Sequence, residues 1–196
     1  MFLDGLWLGL LYSCICILLK IILETPCEKT FLVLFKSTLK QKFQEIHEIN
    51  SQLLVKGIPI LIISVQKNRK GHIRDLHSLM CMQDVLTGIK IILYVEHTVD
   101  ANDLPVALWR CCNNLDPKRD HIVANRAGVN CIGFDGTRKT KEHDDFNRDW
   151  PNIIVADDST IKAVDEKWSE LGLGVFIPSP SLKFKEQLYG EEAVVS

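Results

Sequence analysis

The chain has 196 residues, of which 46% are hydrophobic and 24% charged, with a formal net charge of −2. That balance excludes a disordered or collagen-like chain, and the near-neutral charge excludes the basic surplus with which nucleic-acid binders neutralise phosphates. A chain of this length buries about two thirds of its unfolded surface, so its core needs neither disulfide nor metal.

Residues 1–23 differ from the rest. The run from Gly5 to Leu19 is uncharged and is followed by Lys20 and Ile21-Ile-Leu23. It is shorter than the roughly 20 apolar residues that span a bilayer. Asp4 stands before it with no Lys or Arg, unlike a secretory leader. Three readings stay open: a membrane association through residues 5–23, an apolar N-terminal helix buried against a partner, or a segment foreign to the domain. In each the rest of the chain is expected in the cytoplasm.

Residues 24–56 read as a helical lead-in, because Phe31, Leu34, Phe35 and Leu39 share one helical face within residues 28–48. Residues 58–65 form a short continuous apolar run after Gly57, the pattern of a buried strand. A helix follows over 71–86, with Ile73, Leu76 and Met80 as its stripe, and a second strand over 89–95. The third helix spans 103–113 with Pro105 in its first turn, where a missing N–H costs little. Strands are expected at 121–124 and 152–156. Asp157-Asp-Ser159 then caps a helix whose buried side is Ile161, Val164, Trp168 and Leu171, ended by Gly172. From residue 175, Pro178 and Pro180 mark an extended C-terminal arm with a short helix near 182–189. Strands alternating with helices imply an α/β domain over 57–174, three-layered, with a mainly parallel sheet and helices on both faces.

The seven cysteines are 14, 16, 27, 81, 111, 112 and 131. None stands in a CxxC spacing, and an odd set in a chain of this size reads as reduced thiols, mostly buried. No metal ligand set is read from them. His72 and His77 are five apart and do not share a helical face as an i, i+4 pair would. Lys67, Arg69, Lys70 and Arg74 read as a solvated loop, and Glu142, Asp144, Asp145 and Asp149 as a charged loop before Trp150. Glu96 and His97 close the second strand, where parallel sheets often carry sites, and are read as a turn.

Several strings carry more than periodicity. Tyr94-Val-Glu-His-Thr-Val-Asp100 leads to Trp109 and then to Asp116-Pro-Lys-Arg-Asp120. Gly133-Phe-Asp-Gly-Thr-Arg-Lys139 precedes Arg148-Asp-Trp-Pro151. Ile62-Ile-Ser-Val-Gln-Lys67 precedes Gly71-His-Ile-Arg-Asp-Leu-His-Ser-Leu79. In order and spacing, from about residue 26 to 173, these resemble the C-terminal domain of the UbiD-type decarboxylases, including their GSKMGIDATRK and REWP elements.

The resemblance implies non-oxidative decarboxylation of aromatic or unsaturated carboxylic acids, of the quinone-biosynthesis type, by a homo-oligomer. It implies prenylated FMN and a divalent metal as cofactors. The family's metal ligands and catalytic residues lie in a domain N-terminal to this region, so no catalytic residue is assigned here and the isolated chain is expected to be inactive. In the family a Lys of the GSK element reaches the flavin phosphate. That position falls at Cys131, after Asn130, and these two are the cofactor-binding candidates. A thiol lacks the ammonium's point charge, and Arg126, Arg138 or Lys139 could stand in for it. The alternative is a non-catalytic assembly or interaction module with the same fold.

Overall fold

The computed structural model describes residues 26–124, 130–147, 150, 153–188 and 194–195. It forms two units, one ending at Thr137 and one beginning at Arg138. The expected N-terminal apolar helix lies outside the described residues. Among those described, no helix is long and apolar enough to cross a membrane.

The first unit is built on helix α1 (Pro26–Lys42), strand β1 (Ile46–Asn50), the one-turn α2 (Gln52–Val55), β2 (Ile60–Val65), α3 (His72–Met80), β3 (Ile91–Glu96), α4 (Leu104–Asn114), β4 (His121–Val123) and β5 (Ile132–Asp135). The five strands make one sheet in the order β1-β2-β3-β5-β4. Its central junctions, β2 with β3 and β3 with β5, are parallel. Its outer junctions, β1 with β2 and β4 with β5, are antiparallel.

The sheet is therefore mixed, which corrects the mainly parallel expectation. The physical reason lies in the connections. α3 and α4 supply the long crossovers that parallel neighbours need, whereas β1 and β4 each meet the next strand in sequence through a short link and return antiparallel. β1 was also expected to be helix, and β5 was not expected as a strand. The register of β1 shifts between Ile46 and Glu48, a bulge in that edge strand.

β2 is buried along five of its six residues, as an inner strand should be. Leu61, Ile63 and Val65 alternate into one core cluster with Phe35, Leu39 and Phe43 from α1 and Ile73, Leu76 and Met80 from α3. Ile62, Val95, Val106, Ala107 and Cys111 are buried outside that cluster. α4 starts on Asp103, whose carboxylate accepts the Val106 N–H at 3.2 Å. α3 stops at Met80, and Asp84–Leu86 is a separate 3-10 turn, shorter than the single helix expected over 71–86.

The second unit contains α5 (Lys141–Asp144), β6 (Val155–Ala156), α6 (Asp158–Lys167), the 3-10 segments Trp168–Glu170 and Pro180–Gln187, and β7 (Val194–Val195). β6 does not join the main sheet, as expected for 152–156, but pairs in parallel with β7. Asp157 caps α6 by accepting the Thr160 N–H at 2.6 Å. The stripe expected to be buried on α6 is not: Val164 and Leu171 are 44% and 49% exposed. The arm holds Trp168 against Phe176, ring centroids 5.6 Å apart, and Trp168 Nε1 donates to the Gly174 carbonyl at 3.1 Å.

Candidate functional site

Polar side chains gather at both ends of the three central strands. At the carboxyl end, Glu96 closes β3 and pairs with Arg110 of α4, both buried. Asp135 ends β5, and Gly136 and Thr137 follow it. Thr137 donates to Asp135 Oδ1 from its N–H at 3.0 Å and from its hydroxyl at 2.5 Å. Lys67, just beyond β2, donates to Thr137 Oγ1 at 3.0 Å, and Asn114 of α4 donates to the Gly136 carbonyl at 3.1 Å. Gly136 has no room for a side chain: a Cβ there would stand 2.7 Å from the Cys111 Cα and 2.9 Å from the Tyr94 carbonyl oxygen. The charges here answer one another and fix the strand ends. His97 lies in the turn after Glu96, as expected.

The amino end is chemically different. His77 projects from α3 and is fully buried, as are Tyr94 of β3 and Met80. Gly133 of β5 lets the imidazole approach, since a Cβ there would stand 2.7 Å from His77 Nδ1. His77 Nδ1 lies 2.9 Å from Tyr94 Oη, and Tyr94 donates its hydroxyl hydrogen to Met80 Sδ at 3.7 Å. His77 Nε2 faces Cys81 Sγ at 3.5 Å. Cys131, just before β5, completes the group: one donor atom from each of His77, Cys81 and Cys131 lies within 4.8 Å of the others.

The two half-buried thiols titrate as a pair. The hydrogen bond from Cys131 holds the Cys81 thiol down to about 5, against the burial that opposes it, and His77 helps. The same bond from the other side, with burial, pushes Cys131 well up. One sulfur thus carries charge readily and its partner keeps its proton. Burial, then the charges of Cys81, Cys131 and Asp135, raise Tyr94 well above the ordinary phenol range, so it stays a neutral hydrogen-bonding group.

Of the two cofactor candidates, Asn130 is exposed and Cys131 is turned onto Cys81 and His77. The Cys131 thiol itself brings no positive charge to a phosphate, and Lys90 acts on it as a nearby cation. Arg126 lies outside the described residues, and Arg138 and Lys139 belong to the second unit. His72 is not brought to His77: its Nδ1 accepts the Asn68 N–H at 3.3 Å and its Nε2 faces Glu45 at 3.4 Å. Asp144 accepts the Thr140 N–H at 2.8 Å, while Asp149 lies outside the described residues. Arg69 pairs with Asp75 on the surface, in keeping with a solvated loop. Of the four cysteines whose side chains are described, all free, Cys111 is buried, Cys81 and Cys131 are half-buried and Cys112 is exposed; Cys14, Cys16 and the Cys27 side chain lie outside the described part. Reading cysteines only against cysteines missed the His77-to-Cys81 spacing of four, one helical turn.

The first unit is thus a mixed-sheet α/β domain whose parallel strands lie at its centre and end in charged or polar residues. Residues 29–139 of the chain match the 3-octaprenyl-4-hydroxybenzoate carboxy-lyase C-terminal domain, and the chain belongs to that family, the UbiD carboxy-lyases. An uncharacterised protein of Archaeoglobus fulgidus is 26% identical over 155 residues, covering 70% of this chain and 31% of the relative. The chain thus spans about a third of that relative's length. The vanillic acid decarboxylase of Sedimentibacter hydroxybenzoicus, in its open form, shares the fold with a TM-score of 0.51 at 17% identity, covering 70% of this chain and 31% of that one. A UbiD-class enzyme from Pelotomaculum thermopropionicum, solved in complex with FMN, matches with a TM-score of 0.42 at 16% identity, covering 59% and 28%.

Proposed function

We propose that this chain serves as the C-terminal part of a UbiD-like decarboxylase acting on an aromatic or unsaturated carboxylic acid, of the quinone-biosynthesis type, in the cytoplasm. In that reaction the carboxylate leaves as carbon dioxide and a proton takes its place on carbon. The observation that carries the reading is the family match over residues 29–139. Prenylated FMN and a divalent metal would supply the electron sink and its anchor. Of the two residues first singled out, Asn130 is the one exposed to meet a cofactor, because the Cys131 thiol is engaged elsewhere. The carboxyl-end set of Lys67, Glu96, Arg110, Asp135 and Thr137 then acts as a rigid support, not as the reacting group.

Catalysis by this reading needs residues beyond the chain, since orientation and electrostatic stabilisation require a complete site. The test is a pair of proteins made with a prenyl-flavin synthase and purified without oxygen. The chain alone should show no stoichiometric flavin absorbance and release no carbon dioxide. A chimera, in which residues 26–173 replace the matching part of a vanillic acid decarboxylase, should do both. Sustained turnover by the chain alone, or a folded chimera that holds flavin yet releases no carbon dioxide, would sink the proposal.

A second reading, an assembly module forming homo-oligomers, is favoured by the exposed apolar residues of the arm. Val175, Phe176 and Ile177 are 87%, 48% and 58% exposed. Light scattering on the full chain should give an oligomer, and a variant carrying Val175→Ser and Phe176→Ser should dissociate. A monomeric full chain removes this reading.

A further inference from the structure

We infer that His77, Cys81 and Cys131 form a binding site for a single soft d10 metal ion, Zn2+, independent of the metal that the carboxy-lyase family uses. The site does not rest on the decarboxylase reading. Its donor set is one imidazole nitrogen and two sulfurs, which suits a thiophilic ion and not the hard, oxygen-seeking Mg2+ or Ca2+.

The geometry is close to that of the occupied site. With zinc–sulfur bonds near 2.3 Å and zinc–nitrogen bonds near 2.0 Å, a tetrahedral centre separates nitrogen from sulfur by about 3.5 Å and sulfur from sulfur by about 3.8 Å. His77 Nε2 and Cys81 Sγ are 3.5 Å apart. Cys131 lies within 4.8 Å of both, so a small rotation of its side chain closes the third edge. His77 and Cys81 stand one helical turn apart on the same face of α3 and its continuation, and the Cys131 loop is fixed by the pairing of β5 with β3.

The imidazole is prepared for this role. A ligating histidine normally gives its other N–H to a fixed acceptor, which sets its tautomer and orientation. Tyr94 Oη, 2.9 Å from Nδ1, is placed to accept Nδ1–H once Nε2 ligates the ion. Gly133 fixes the ring's depth, because any side chain there would push the imidazole aside. Two thiolates balance the charge of the ion inside a partly buried pocket. Cys131, half-buried at the edge of the group, gives the ion a path of entry and leaves the fourth position to water or an added ligand.

The test uses the full chain, reduced and metal-free, titrated with Zn2+ and with Co2+ as a coloured substitute. One equivalent of Co2+ should give thiolate-to-cobalt charge transfer together with the visible bands of a tetrahedral ion, and Zn2+ should displace it. The other cysteines of the chain provide a background, so the comparison is with Cys81→Ser combined with Cys131→Ser, a change of one atom in each side chain. That variant should bind one equivalent fewer and lose the tetrahedral spectrum while keeping its circular dichroism. Tyr94→Phe keeps the buried ring and removes the acceptor of Nδ1–H; it should weaken the site about 10- to 100-fold. Unchanged stoichiometry and spectrum in the double cysteine variant would overturn the site. So would a reduced chain that takes up no cobalt and, on exposure to air, only joins Cys81 to Cys131 as a disulfide.

Discussion

The two ends of the central sheet use buried polar groups in opposite ways. At the carboxyl end, opposite charges meet: Glu96 faces Arg110, and Asp135 holds Thr137, which Lys67 also reaches. At the amino end, soft and neutral groups converge: an imidazole, a phenol, a thioether and two thiols. Opposite charges in a low dielectric satisfy each other and lock geometry. Two thiols and an imidazole, all donors to a cation, are completed by something brought in. A buried polar cluster reads as architecture when its charges sum to pairs, and as a receptor when they do not.

The largest effect should come from breaking the carboxyl end. Arg110→Leu removes the buried cation that faces Glu96, which should cost about 3–5 kcal/mol in urea unfolding, and adding Glu96→Gln should recover much of that loss. A single variant as stable as the wild type would remove the contrast between the two ends. Gly136→Ala should follow, at about 1–3 kcal/mol, because its new methyl meets the Cys111 Cα and the Tyr94 carbonyl, backbone that cannot step aside. Gly133→Ala should cost less than Gly136→Ala in the same unfolding measurement, since the obstruction is the His77 ring, but it should blunt cobalt binding as well. Equal cobalt affinity would show that the ring's depth is unimportant.

Asp103→Ala should cost about 1 kcal/mol by removing the cap of α4, with Asp103→Ser recovering most of it. The smallest effect concerns pH. The Thr160 N–H, then the Ser159 and Thr160 hydroxyls, hold the exposed Asp157 below the usual carboxylate range. Its folded value is depressed, so its contribution is present above the unfolded value and fades as pH falls through the folded one. The helical signal of α6 should weaken across that acid range, and Asp157→Ser should flatten the dependence.

The inner part of the fold was legible because its signals were local. Ile60–Val65 and Ile91–Glu96 are short apolar runs with glycine ahead of each, and Asp103 with Pro105 announces a helix start. The edges were not. Ile46-His-Glu-Ile-Asn50 continues the polar texture of the helix before it, and only pairing with Asn50↔Ile62 and its neighbours makes it a strand. Ile132–Asp135 is four residues long with a glycine inside, too short for any period to appear. The site was half legible. The strand-end position of Glu96 could be read, but its partner Arg110 is set by how α4 packs. Cys131 stands out in the sequence for what it replaces in a family pattern. Its meeting with His77 and Cys81 depends on β5 lying beside β3, which no spacing in the chain encodes.

The bulge between Ile46 and Glu48 and the three-residue length of β4 bear on how such a domain lives among its copies. An open sheet offers two rows of unpaired amides, and a neighbouring chain can add a strand to either. One rim here is interrupted and twisted by an extra residue; the other is too brief to template a partner. Among the described residues, both edge strands of this five-stranded sheet are therefore poor templates for edge-to-edge pairing.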